Sequence, residues 1–160
     1  MYFSSIFSEA GSNEAIYNGE KIYSCYFLEP KKQRLKIKYN SKKDNGQCIV
    51  LAFAPNAEYK IKYNEKELLP RKGAFPTIDL LEETFGSEFI LDIEFSEGRV
   101  GICNGNELNL GNRTIISYQS RGQAMKITKK GNVLNFKCNS DEDGHDFDDL
   151  EFEIEFLEVE

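Results

Sequence analysis

The segment Leu150-Glu-Phe-Glu-Ile-Glu-Phe156 alternates apolar and acidic residues without a break. In an extended chain, successive side chains point to opposite faces, so this pattern fits a strand with one buried face and one solvated face. The same period recurs in Arg34-Leu-Lys-Ile-Lys-Tyr39, which puts Leu35, Ile37 and Tyr39 on one face and three cations on the other. Tyr59-Lys-Ile-Lys-Tyr63 repeats it, and Phe89-Ile-Leu-Asp-Ile-Glu-Phe95 turns Phe89, Leu91, Ile93 and Phe95 inward. Less regular strands are expected at 22–28, 48–54, 99–103, 113–119, 123–128 and 132–137, with a further candidate at 2–7.

Short turn signals separate these runs. Lys43-Asp-Asn-Gly46, Ser96-Glu-Gly98, Ser120-Arg-Gly122 and Lys129-Lys-Gly-Asn132 supply the Gly, Asn and Asp that hairpin connections favour. Many short strands at this spacing predict an all-β fold, mainly an antiparallel sandwich or barrel-like form, over a single β-rich domain 1–160. One short α-helix is predicted around 77–85: Thr77 can cap it, Ile78, Leu81 and Phe85 share a face, and Gly86 can close it. Twelve Phe and eight Tyr suit a sheet, because flat rings pack well on pleated surfaces.

No run approaches the ~20 apolar residues of a membrane-spanning helix. The opening Met1-Tyr-Phe-Ser-Ser-Ile-Phe7 lacks the basic and long apolar regions of a secretory signal, so the expected location is cytoplasmic. Cys25, Cys48, Cys103 and Cys138 form no CxxC pair, and each lies in or beside a strand-like segment. They are expected to be reduced, half-buried small hydrophobes.

Charge is the most informative feature. The chain carries 27 acidic and 20 basic residues. Residues 141–160 hold eleven of the acids and no Lys or Arg, leaving 16 acids against 20 bases elsewhere. An acidic loop and strand over 139–159 are thus attached to a mildly basic body. If Glu151, Glu153 and Glu155 face outward, they form a row spaced at about 6.5–7 Å. That is close to the phosphate spacing along one nucleic-acid strand, roughly 6–7 Å. Such a face could enter the cationic groove of a nuclease or another basic protein. Alternatively, these carboxylates could pair across strands with Lys36 and Lys38, or with Lys60 and Lys62.

The loop Asn139-Ser-Asp-Glu-Asp-Gly-His-Asp-Phe-Asp-Asp149 resembles the first half of a calcium loop through Asn139, Asp141, Asp143 and Gly144. Leu150 then falls where the bidentate Glu belongs, so Asn139, Asp141 and Asp143 are weak metal candidates and no metal or cofactor is expected. His145, the only histidine, sits among these acids as a candidate pH switch or ligand, although a lone histidine in a polar loop is usually neither. No phosphate loop, HExxH or dinucleotide fingerprint is present, and no nucleophile has a choice of histidines. The aromatic run Tyr17–Phe27, with Tyr2, Phe3 and Phe7, could stack on sugars, but rings at alternating strand positions mostly belong to a core.

The sequence therefore predicts a binding protein without enzymatic activity. Its partner would be a basic protein, such as a nuclease toxin or a defence effector, held by Asp141, Asp143, Asp146, Asp148, Asp149, Glu151, Glu153 and Glu155. Direct nucleic-acid and membrane binding are not expected. The alternatives are a carbohydrate-binding or hydrolytic β-sandwich assisted by calcium, and a structural or assembly domain.

Overall fold

Alternation becomes pairing in the computed structural model, which describes residues 2–55, 57–70 and 76–159. The chain begins with helix α1 (Phe3–Ala10), followed by β1 (Glu14–Tyr17), β2 (Glu20–Tyr23), β3 (Tyr26–Phe27), β4 (Lys32–Lys42), β5 (Gln47–Phe53) and β6 (Glu58–Tyr63). It continues through β7 (Lys66–Glu67), β8 (Thr77–Leu80), helix α2 (Glu82–Phe85), β9 (Glu88–Glu97) and β10 (Val100–Asn109). The last strands are β11 (Thr114–Tyr118), β12 (Ala124–Lys130), β13 (Val133–Asn139) and β14 (Leu150–Leu157).

All of these pairs are antiparallel, in two sheets. The larger sheet runs β1-β2-β12-β13-β14-β4-β9-β6-β7 and the smaller β11-β10-β5-β8. The second edge of β10 is shared: β3 pairs with Gly101 and Ile102, and β11 with Gly105 through Asn109. The sheets enclose a core in which Leu35, Ile37, Leu91, Ile93, Phe152 and Ile154 of one sheet meet Ile49, Leu51, Leu80 and Ile102 of the other. The six from the larger sheet are inward positions that the alternation assigned. Phe136 and Phe152 stack at 4.4 Å between centroids. The result is the antiparallel all-β sandwich that the sequence predicts.

Two segments differ from the sequence reading. Residues 77–80 are not helical: Thr77–Leu80 pairs with β5, with Ile78 opposite Leu51 and Leu80 opposite Ile49. Thr77 is therefore a strand residue, not a cap, and only Glu82–Phe85 forms the short helix, entered from Leu81. Ile78 and Leu80 alternate as a strand requires, whereas Ile78, Leu81 and Phe85 share a helical face, and an open edge of β5 decides between the two periods. The candidate strand at 2–7 is instead α1. Phe3 and Phe7, one helical turn apart, are both buried, and Gly11 closes the helix at φ 61°. A second cluster forms there from Phe3, Phe7, Ile22, Ala124 and Phe147. The sequence reading also passed over the β1–β2 hairpin, whose turn is Asn18-Gly19, both at positive φ.

No described helix is long and apolar enough to cross a membrane. The four cysteines are buried and unpaired, and three of them cluster with Val50.

Candidate functional site

Three connections, β4–β5, β11–β12 and the acidic loop between β13 and β14, meet at one end of the sandwich beside Asn106 and Leu108 of β10 and Ser117 of β11. Between them lies a cleft of about 590 Å³. Its walls carry the carboxylates of Asp44, Asp141, Glu142, Asp143 and Asp149, with Lys43 as the cation among its lining residues. Ser117, Ser120 and Ser140 contribute hydroxyls.

Buried amides hold the floor. Asn104 on β10 donates to the Asn139 carbonyl at 2.9 Å and to Ser140 Oγ at 3.2 Å, tying the smaller sheet to the larger. Ser140 Oγ donates in turn to Gln47 Oε1 at 2.7 Å. Asn139 donates to the carbonyls of Gly122 and Asp141, while its oxygen accepts from Phe147 N–H. Gln123 bridges Ser120 N–H and the Ser117 carbonyl. Polar groups buried in this way stay low in energy only when each finds a partner, so the network fixes the shape of the cleft. The two loops also touch closely: a Cβ at Gly122 would lie 2.6 Å from the Asp141 backbone.

The acids serve different ends. Asp149, only 4% exposed, accepts the N–H groups of Ser140 at 2.7 Å and Asp141 at 3.1 Å, which makes it the internal brace of the loop. Lys43 lies 3.5 Å from Asp149 and 3.9 Å from Asp148, and these carboxylates, Asp148 foremost, raise its pKa. Asp141 Oδ1 accepts the N–H of Asp143 in a tight turn. Asp141, Glu142 and Asp143 are exposed at the mouth, and Asp146 is exposed farther along the loop.

Glu151, Glu153 and Glu155 lie elsewhere. β14 is an interior strand, flanked by β13 and β4, and its carboxylates are half-buried on the outer face of the sheet. Glu153 stands opposite Lys38, Glu155 opposite Lys36, and Glu151 opposite Lys137. The pattern continues outward: β4 sets Arg34 against Asp92 and Lys38 against Glu88, and β6 sets Lys60 against Glu94 and Lys62 against Asp92. Lys36 also bridges to Glu88 at 2.8 Å. Successive strands from β14 to β6 thus carry charges of alternating sign; the acidic row that stands out in the sequence meets Lys36 and Lys38 on the β4 side, while on the β13 side only Glu151 meets a cation, since Glu153 faces Asn135 and Glu155 faces Val133.

His145 is half-buried rather than exposed. Its ring packs 4.5 Å from Phe3, and Nδ1 lies 2.9 Å from the Tyr17 hydroxyl. Of the metal candidates, Asn139 has both side-chain atoms committed to backbone groups, and no cluster of three or more metal-ligating side chains occurs among the described residues. The faces of Tyr2 and Phe27, among the exposed aromatics, are covered by Arg121 and Arg99.

Sequence reasoning identified Asp141, Asp143 and Asp149 but missed Asp44, Gln47, Ser117 and Ser120. Ser117 and Ser120 lie 19 or more positions before Asn139, and Asp44 and Gln47 more than 90, and no local pattern announces that they meet the acidic loop. A scan against protein-family models, a search of curated proteins and a search of solved structures each returned no match.

Proposed function

We propose that this protein is a non-enzymatic binding protein whose acid-walled cleft receives a cationic element of a basic partner protein. The partner class is that of a nuclease toxin or a defence effector, and occupation of its cationic element would block it. The observation that carries this reading is the concentration of five carboxylates and one lysine around one preorganised cleft. Fixed carboxylates that need no rearrangement favour a guanidinium or ammonium group and steer its approach. The compensated row Glu151, Glu153 and Glu155 presents little net field, so the contacting acids in this reading are Asp44, Asp141, Glu142 and Asp143. A carbohydrate site is less well supported, because among the described residues no aromatic ring lines the cleft as a platform for a sugar.

The test begins with a pull-down from the native host and mass spectrometry, followed by binding kinetics on the captured partner. Asp141→Asn, Glu142→Gln and Asp143→Asn together should slow association about tenfold or more at low salt, with the gap narrowing as salt rises. A partner that binds the triple variant at an unchanged, salt-insensitive rate would place the interface elsewhere.

A further inference from the structure

The β10–β11 hairpin reaches past the end of the larger sheet. Asn104 on β10 donates to the carbonyl of Asn139, the last residue of β13, so one strand ends beside the middle of the other. Cys138, Leu150 and Lys42 lie side by side, so β14 and β4 stop at the same level. β10 continues to Asn109. At a rise of about 3.4 Å per residue, Leu108 stands about 14 Å beyond Asn104.

Parity fixes which face of the hairpin looks across the sandwich. Ile102, in the core between the sheets, shares its side of β10 with Asn104, Asn106 and Leu108. Asn106 and Leu108 line the cleft, as does Ser117, the residue opposite Asn106. Ile115 stands opposite Leu108, and directly opposed residues of an antiparallel pair share a face. Leu110 extends the row by one step, its N–H donating to the Arg113 carbonyl at 2.8 Å. The other face holds Ile116 and Tyr118, which pack against Cys48, Val50 and Cys103.

Leu108 is 39% exposed and Leu110 50%, and Ile115 is half-buried. These residues continue the core-facing row where the larger sheet no longer lies across from them. They form an apolar lip on the rim of the acid-walled cleft. Single exposed leucines are ordinary, whereas a contiguous apolar row continuous with a site marks a contact surface. Charge selects what covers it. A second copy docked on the same surface would bring two sets of five carboxylates and one lysine together. A cationic segment meets no such repulsion.

We infer that the lip receives an apolar side chain next to the cation that enters the cleft, so that the recognised element of the partner carries both. This rests on the proposed role of the cleft and adds a second chemical feature of the partner. The acids steer association, and the lip slows dissociation.

The experiment is a methyl NMR titration of the full chain with two short synthetic peptides, one alternating arginine with leucine and one alternating arginine with serine. Their charge is the same and only the apolar part differs. The leucine peptide should give saturable shifts at the methyl groups of Leu108, Leu110 and Ile115, and bind about tenfold more tightly than the serine peptide. Leu108→Ser with Ile115→Thr should abolish that preference. If this pair does not fold, Leu110→Ser, at the most exposed position of the row, should reduce the preference instead. Asp141→Asn, Glu142→Gln and Asp143→Asn together should weaken both peptides. Equal affinity of the two peptides, with both still weakened by the acidic triple variant, overturns the lip and leaves the cleft reading standing. Binding of neither peptide into the millimolar range, or of both at affinities the triple variant does not alter, removes the cleft reading and the lip with it. A dimer in sedimentation that Leu108→Ser with Ile115→Thr dissolves gives the lip to a second copy and overturns the inference.

Discussion

The hydroxyl of Tyr39, on the larger sheet, donates to the backbone carbonyl of Leu80 in the smaller one. The same oxygen accepts the N–H of Ile49 at 2.9 Å, so a single phenol is inserted where Ile49 and Leu80 face each other across β5 and β8. Burial is the main reason its pKa is raised well above the ordinary tyrosine value. Tyr39→Phe leaves one donor and one acceptor unpaired at the joint between the sheets. It should lower the unfolding free energy by about 1–3 kcal/mol in urea titration, with an unchanged m-value.

Asp149 and the acids at the mouth of the cleft should separate in the same assay. Asp149→Ala removes the acceptor for two backbone N–H groups and should destabilise by about 2–3 kcal/mol. Asp141→Asn, Glu142→Gln and Asp143→Asn alter exposed positions, so each should stay within about 0.5 kcal/mol of wild type. A loss of stability in the triple variant comparable to that of Asp149→Ala would mean that the mouth acids brace the loop rather than serve a partner.

The charge ladder predicts coupling between strands. Glu153→Lys with Glu155→Lys sets like charges opposite Lys38 and Lys36, at about 0.2–1 kcal/mol for each pair. For a chain of this length the melting temperature should fall by a few degrees, at roughly 2–4 °C per kcal/mol. Adding Lys36→Glu and Lys38→Glu should recover part of the loss, measured as a mutant cycle at low salt. Independence of the two pairs of substitutions would show that the facing charges do not interact.

The ladder also has a pH signature. The hydrogen bond from Lys36 is the main cause that holds Glu88 below its ordinary value, so its stabilising effect is present above the unfolded-state pKa of about 4.3. That effect fades as the pH drops through the lower folded value. Lys36 is raised by the same contact, so its share is present below about 10.4 and fades as the pH climbs through the folded value. Melting temperatures of Lys36→Met should therefore show a shallower decline than wild type at both acid and alkaline ends.

The thiols should be slow to react in the folded protein. Burial pushes Cys48 up to about 12 and raises Cys138, while Cys103 is raised first by its hydrogen bond with Cys25 and then by burial. Ellman's reagent should count four thiols in denaturant and few at neutral pH without it. Gly101 keeps this cluster closed, since a Cβ there would lie 2.2 Å from Cys25 Sγ. Gly101→Ala should destabilise by about 1–3 kcal/mol, and Cys25→Ala in the same chain should relieve part of that.

The strands were legible because alternation is a local property. Leu35, Ile37, Phe152 and Ile154 were assigned to the core from their own segments, and they lie there. Residues 77–80 were misread because the helical spacing of Ile78, Leu81 and Phe85 competes with the strand spacing of Ile78 and Leu80 over so short a span, and the free edge of β5 settles it. The helix at Phe3–Ala10 carried its own signal in the Phe3–Phe7 spacing and Gly11, but four early aromatic or aliphatic residues also resemble a strand. Within the cleft, the acidic loop was visible as a run of charge, whereas Asp44, Ser117 and Ser120 were not.

The order of residues along this chain was enough to determine which segments extend and which side of each turns inward, because side-chain direction in a strand depends only on the parity of position. It could not say which strands lie side by side. Placing β14 between β13 and β4 turned the most acidic segment into one rung of a balanced ladder. The same topology gathered the loop at 139–149 with connections far away in sequence, and set Gln33 beside a cavity between the β3–β4 connection and the β12–β13 turn. Charge compensation and cavity formation depend on distances between non-adjacent segments, and those exist only once the sheets have paired.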